Sequence, residues 1–385
     1  MNFNLNDEQR QLDDLLRRFV SKDYGFEQRN TILRSEAGFS RDIWQALADL
    51  GVLALNVPED HGGLNAGPVE TMIVMQALGR GLVLEPVAAS AVVATHALRE
   101  VATPEQQAEL LPALAAGERI AVLAHEESAA DGDVNRVATT AWRDGDGWVL
   151  DGHKPVVMHA AAADELLVSA RTSGQPGDAQ GVSLFRVPAG TPGLTLRSLP
   201  TVDGQRAADL KLQGVRLPAS ARIGAGGGAE GGAAEGIQLA QDKGLAALMA
   251  DALGAMESVF DATVDYLKTR QQFGQPIGRF QALQHRAADM VLHLEQSRSM
   301  VILATLRGTQ GPAAERARIL SAAKVTLGQA ARFIGQNAVQ LHGGMGMTEE
   351  LALSHGFKRL VAFELRGGQT DEHLARFAQL SRVAA

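Results

Sequence analysis

The chain has 385 residues, with 41 Gly, no Cys and few aromatic side chains (12 Phe, 3 Trp, 2 Tyr), which excludes a disulfide framework, a Cys-ligated zinc or iron–sulfur centre and thiol catalysis. An apolar content of 45% beside 21% charged residues describes packed domains, two or three at this length, and not a disordered chain. The formal charge of −8 argues against a nucleic-acid partner, which needs a basic surface.

The segment Met1–Arg18 is polar and acidic, without the apolar run of a secretory signal. The uncharged stretch Pro86–Leu98 is 13 residues long, short of the ~18 of a membrane span. A cytoplasmic location with no membrane partner is therefore expected. Helical spacing governs roughly the first 115 residues: Leu12, Leu15, Leu16, Phe19 and Val20 form one face, Ile43, Leu47 and Leu50 another, with Gly51, Pro58, Gly62, Gly63 and Pro68 as breakers. From about Ile120 the period shortens. Trp148-Val149-Leu150, Leu166-Leu167-Val168, Val182–Phe185 and Leu210-Lys211-Leu212, with Val156-Val157-Met158 as a weaker run, predict a small antiparallel β domain.

Gly224–Gly236 is almost wholly Gly, Ala and Glu and reads as a flexible connection. Helical spacing then returns at Leu248, Ala252, Ala255, Val259, Ala262 and Tyr266; at Leu283, Ala287, Met290 and Leu294; and at Leu327, Ala331, Ile334, Ala338 and Leu341. Three long helices and a shorter terminal one predict a bundle. The domains expected are residues 1–117, 118–225 and 226–385.

Two motifs carry no chemistry. Gly226, Gly228 and Gly231 satisfy G-x-G-x-x-G, with Asp251 twenty residues on, but helix follows where a dinucleotide fold needs a parallel strand, so the linker reading holds. His342, His355 and His373 are too widely spaced for a helical metal pair, and no Cys completes a site, so no metal is expected.

Two other stretches are informative. In Tyr266–Gly278 a long helix ends in a cationic turn, breaks at Gly274 and Pro276 and restarts near Phe280 and Gln281, leaving Arg270 and Phe273 at a corner. Arg suits bidentate phosphate binding, and Phe is either a flat surface for a base or core. In Gln340–Thr348 three glycines at a helix end permit φ > 0 and close backbone approach, beyond what a simple helix stop needs.

Together these stretches resemble the acyl-CoA dehydrogenase family, and the likeness spans essentially the whole chain. Val57–Leu64 is similar to the family's first-domain loop, Ala138–Ala141 with Gly147–Lys154 to its middle domain, and Arg270–Gly274 with Gln340–Gly344 to its two C-terminal signatures. Pro68–Met75 and Gln284–Met290 are most similar to the small subunits of pimeloyl-CoA dehydrogenases. The resemblance implies an α+β fold: an all-helical N-terminal domain, a middle β-barrel and a C-terminal four-helix bundle. It also implies FAD, held by Arg270, Gln272, Phe273, Ile277, Gln281, Gln340, Gly343 and Gly344 and lying mainly on a neighbouring subunit. An acyl-CoA substrate, a homo- or hetero-oligomer and an electron-transfer flavoprotein partner follow from the same likeness.

The departures concern catalysis. The family's general base is a Glu in the last domain, a position that falls on Gly367, or in some members a Glu in the first bundle helix, which falls on Gly244; the Arg usual after the second site is Leu245. Neither glycine accepts a proton. Around the flavin, the family's Thr-Glu-Pro is Glu126-Glu127-Ser128, its Ser before Asp is Gly132 before Asp133, and its Trp-Ile-Thr is Val156-Val157-Met158. Among substitute bases, Asp242 lies about 200° around the helix from Gly244, while Glu364 and Asp371 share a side with Gly367 if that segment is helical. The leading expectation is a subunit lacking its own base and working with a Glu-bearing chain. The alternatives are a self-sufficient enzyme with a relocated carboxylate, or a binding protein of the same fold without redox chemistry.

Overall fold

The computed structural model describes residues 5–128, 130, 132–224 and 232–383. The glycines 226, 228 and 231 and the expected domain boundary at 225/226 lie outside the described residues. The chain forms two compact units: Met1–Thr31, Pro68–Val83 and Leu245–Ala385 in one, Ile32–Gly67 and Leu84–Gly244 in the other.

Among the described residues, six α-helices come first: α1 (Asp7–Lys22), α2 (Phe26–Arg34), α3 (Arg41–Asp49), α4 (Pro68–Arg80), α5 (Thr95–Val101) and α6 (Pro104–Ala115). Their ends follow local chemistry. Asn6 with Gln9 and Thr103 with Gln106 form capping boxes that start α1 and α6. Ahead of α5, Ala88–Ala94 winds as a π-helix of small residues.

Eight strands follow: β1 (Ala121–Ala124), β2 (Thr140–Asp144), β3 (Gly147–Met158), β4 (Glu165–Arg171), β5 (Val182–Pro188), β6 (Leu194–Pro200), β7 (Arg206–Leu217) and β8 (Arg222–Ile223). They form one sheet in the order β6-β7-β3-β2-β4-β5-β8, with β1 beside β4. The apolar runs read from the sequence all lie in these strands. The sheet is not wholly antiparallel as expected: β1 runs parallel to β4, pairing Ala121 with Glu165 through Ala124 with Val168. The hairpin β2–β3 intervenes in sequence, so β4 meets β1 by a crossover and not by a turn. Within this unit Leu98, Leu111, Leu114, Leu167, Leu184, Ile223 and Ile237 share one apolar core, each contributing about 1.5–3 kcal/mol by burial.

The remainder comprises α7 (Ala234–Thr269), a two-stranded hairpin of β9 (Gln271–Gln272) and β10 (Gln275–Pro276), α8 (Gln281–Arg307), α9 (Ala313–His342), α10 (Ala352–Leu365) and α11 (Thr370–Val383). Where one short terminal helix was expected there are two, because Gly367 and Gly368 take φ of 65° and 93° and end α10. The expected stripe of α9 is buried throughout, while that of α8 is buried at Met290 and Leu294 and half-buried at Leu283 and Ala287. On α7 the stripe drifts after Val259, where Thr263 and Leu267 are buried while Ala262 is exposed and Tyr266 half-buried; a straight helix of 3.6 residues per turn leaves a 3.5-residue stripe. α4 and α7 approach at two glycines: a Cβ on Gly79 or Gly254 would collide with the backbone of Asp251 or of Gln76, respectively.

Candidate functional site

The first C-terminal signature begins where α7 runs out. The Arg270 amide donates to Tyr266 O (2.8 Å), and the chain turns through the hairpin, Gln272 opposite Gln275 and Gln271 opposite Pro276. Phe273 and Gly274 form the two-residue turn with φ of 55° and 77°, the type I′ geometry that Asn, Asp or Gly normally occupies. A bulky side chain there costs on the order of 1–2 kcal/mol. Phe273 is nevertheless 89% exposed and touches Phe280 edge-on, centroids 5.9 Å apart at 85°. The alternative of a core phenylalanine is thereby removed. The Ile277 amide returns to Arg270 O (2.9 Å), and Arg270, Gln272 and Gln281 are exposed.

The second signature is the end of α9. Gly343 takes φ 60° and ψ −142°, a backbone region open essentially to glycine alone. A Cβ on Gly343 or Gly344 would meet nothing within 4 Å, so this backbone is open to an approaching group. Gln340 is exposed one turn earlier. The two signatures meet through Tyr266 and His342, whose rings stack with centroids 4.3 Å apart at 25°. Sequence reasoning gave Tyr266 no role beyond the apolar stripe.

The carboxylates near Gly367 do not converge on it. A Cβ there would point to Leu245 and Leu248 of α7. Glu364, by contrast, turns toward α9: a Cβ on Gly328 would collide with its Oε2, its Oε1 accepts from the Thr370 amide (3.1 Å), and Arg332 stands 3.4 Å away. Asp371 is exposed in the first turn of α11. Because the chain between them is not helical, the shared side expected for Glu364, Gly367 and Asp371 does not form. In the other unit, a Cβ on Gly244 would collide with Val93 of the π-helix, and Asp242 accepts from Gln238 Nε2 (2.9 Å) one turn earlier on α7. The histidines 342, 355 and 373 are buried and hydrogen-bonded to backbone carbonyls.

The middle sheet holds a buried polar network that the sequence reading missed. Lys154, fully buried, donates to Glu127 Oε1 (2.7 Å), His125 O (3.0 Å) and Ser169 Oγ (3.0 Å). Glu127 also accepts from the amides of Ala138 (2.7 Å) and Thr139 (3.0 Å) and from Thr139 Oγ1 (2.6 Å). Burial pushes Lys154 down to about 8 against the pull of Glu127. The Glu127 carboxyl is raised by burial, but Lys154 and these donors outweigh that and hold it below the usual range. Strand β3 also carries Asp151 and His153, so Lys154 gave no distinct signal in the sequence. The register of β3 against β7 shifts between Lys154 and Val157, leaving Val156 exposed.

Three matches to known domains cover the chain: acyl-CoA dehydrogenase N-terminal domain at residues 6–118, middle domain at 123–215 and C-terminal domain at 238–380. Similar proteins include an L-prolyl-[peptidyl-carrier protein] dehydrogenase of Pseudomonas fluorescens, 31% identical over 86% of this chain and 88% of that one. The short-chain specific acyl-CoA dehydrogenase of Bos taurus mitochondria is 30% identical over 84% of this chain and 78% of its own length. Among solved structures, a chain of the ChsE4-ChsE5 complex from Mycobacterium tuberculosis superposes with a TM-score of 0.87 at 27% identity, covering 99% of this chain and 99% of that one. The chain belongs to the acyl-CoA dehydrogenase family of FAD-dependent flavin oxidoreductases.

Proposed function

We propose that this chain is the subunit of a hetero-oligomeric acyl-CoA dehydrogenase that helps hold FAD while another, Glu-bearing chain supplies the general base. One asymmetry carries the reading. The groups suited to a dinucleotide are kept, and kept at a conformational cost in Phe273, whereas both family base positions are glycines packed against apolar side chains. An exposed guanidinium at Arg270, the exposed Phe273 ring and the open backbone of Gly343 and Gly344 fit a pyrophosphate and an adenine. Gln272, Ile277, Gln281 and Gln340 border these groups in the same two segments. Bound FAD supplies the two-electron oxidising power for desaturation of the thioester.

The similarity to the ChsE4-ChsE5 complex and the finer likeness of Pro68–Met75 and Gln284–Met290 to pimeloyl-CoA dehydrogenase small subunits support a two-chain assembly. By family likeness, an electron-transfer flavoprotein takes up the electrons. A self-sufficient enzyme is the weaker reading: Glu364 is engaged with Thr370 and Arg332, which leaves Asp371 to act from an exposed helix start.

The test is dye reduction by acyl-CoA, measured for the isolated chain and for the chain co-expressed with a neighbouring-gene partner carrying the Glu. Turnover only by the pair is expected. Strong turnover by the isolated chain, abolished by Asp371→Asn, would establish the second reading instead. A purified pair without a bound-flavin absorption band would leave only a non-redox role.

A further inference from the structure

The stacked rings of Tyr266 and His342 stand at the roots of both segments read above as the FAD site. Tyr266 lies in the last turn of α7, and its carbonyl accepts the Arg270 amide that leads into the hairpin. Arg270 O in turn accepts from Ile277 on the far side of the same hairpin, so the loop closes onto the residue that Tyr266 anchors. His342 is the last residue of α9, directly before Gly343 and its glycine-only backbone angles. The turn folds back over it: a Cβ on Gly346 would lie 3.1 Å from His342 Cβ and 2.8 Å from Val339 O.

His342 cannot choose its orientation freely. Its Nδ1 lies 2.9 Å from Ala338 O, and a carbonyl oxygen only accepts, so Nδ1 carries the proton and faces back along α9. Burial lowers its affinity for a second proton. The imidazole is thus a neutral, fixed plate, and Tyr266 is laid on it nearly parallel. Neither ring need touch a ligand to matter. The phenol belongs to the turn of α7 that leads into the hairpin, and the imidazole to the residue that opens the glycine turn.

We propose that Tyr266 and His342 are positioning residues whose stacking sets the spacing between the Arg270–Phe273 hairpin and the Gly343–Gly344 turn, and through that spacing the affinity for the adenosine diphosphate half of FAD. The proposal rests on the reading of those two segments as the FAD site.

The experiment titrates the flavin-stripped protein, with its partner chain, against FAD by fluorescence quenching and against ADP by calorimetry. Tyr266→Ala weakens both ligands about tenfold, the scale of one aromatic pair, at a temperature where circular dichroism shows the flavin-free protein fully folded. Tyr266→Phe keeps the ring and restores wild-type affinity. Should Tyr266→Ala misfold, Tyr266→Leu keeps the bulk without the ring and weakens binding in its place. Equal affinity of the Ala or Leu variant and wild type overturns the proposal, as does an equal loss in Tyr266→Phe. Arg270→Ala is the control. If it weakens FAD and the ringless variant does not, only the positioning role fails; if it leaves FAD unaffected, the site reading fails and takes the proposal with it.

Discussion

A Cβ built on Gly367 lies 3.0 Å from Cδ1 of Leu245, on a backbone whose φ is 65°. The position proposed above as the family's base site is therefore both conformationally special and already faced by an apolar side chain. Restoring the acid by Gly367→Glu should destabilise the chain by about 1–2 kcal/mol and give the isolated chain no dye reduction. Adding Leu245→Ala relieves the contact but not the backbone angle. Urea unfolding and a dye assay check both halves; turnover at unchanged stability would show that position 367 accepts a working carboxylate without further change.

Phe273 is predicted to trade stability for binding. Phe273→Asn places a residue suited to the left-handed region in the turn and removes an exposed ring. The variant should be as stable as the wild type or more so, by up to about 1 kcal/mol, while FAD affinity falls. Thermal unfolding and flavin titration, run on the same samples, should move in opposite directions.

The Lys154–Glu127 pair predicts an asymmetric cost. Glu127→Ala leaves a buried ammonium without its anion and uncaps the amides of Ala138 and Thr139, for a loss of about 3–5 kcal/mol. Lys154→Met together with Glu127→Gln removes both charges and leaves an amide oxygen for those donors. The double variant should recover much of the loss. Chemical denaturation of the three proteins measures the difference.

Acid lability should begin at histidine and not at carboxylate pH. His96 is lowered to about 2, first by burial and then by Lys243 and Arg99; His125 is lowered to about 3, first by burial and then by Lys154. Both folded values lie below the unfolded one near 6.5, so below that pH the unfolded chain binds more protons and folding stability falls. Each histidine contributes up to about 1.4 kcal/mol per pH unit, until its folded value is reached. The melting temperature should drop between pH 6.5 and pH 5, and less steeply in His125→Asn if that variant keeps the hydrogen bond to Ser169.

Much of this protein was legible along the chain because its cues are local. Apolar spacing marks α8 and α9, Gly274 and Pro276 mark the corner after α7, and the Arg270 and Gly343 stretches identify the family. Gly244 and Gly367 are legible in the sequence, and the proposal that they stand at the family's base positions rests on the family likeness. What the sequence left open depends on neighbours remote in the chain. Whether Phe273 is core or surface, whether Glu364 turns toward Gly367 or α9, and that Lys154 finds Glu127 were decided by tertiary packing. The reason is physical: periodicity and turn chemistry act within a few residues, but the direction of a side chain and the charge it keeps depend on the groups that folding places beside it.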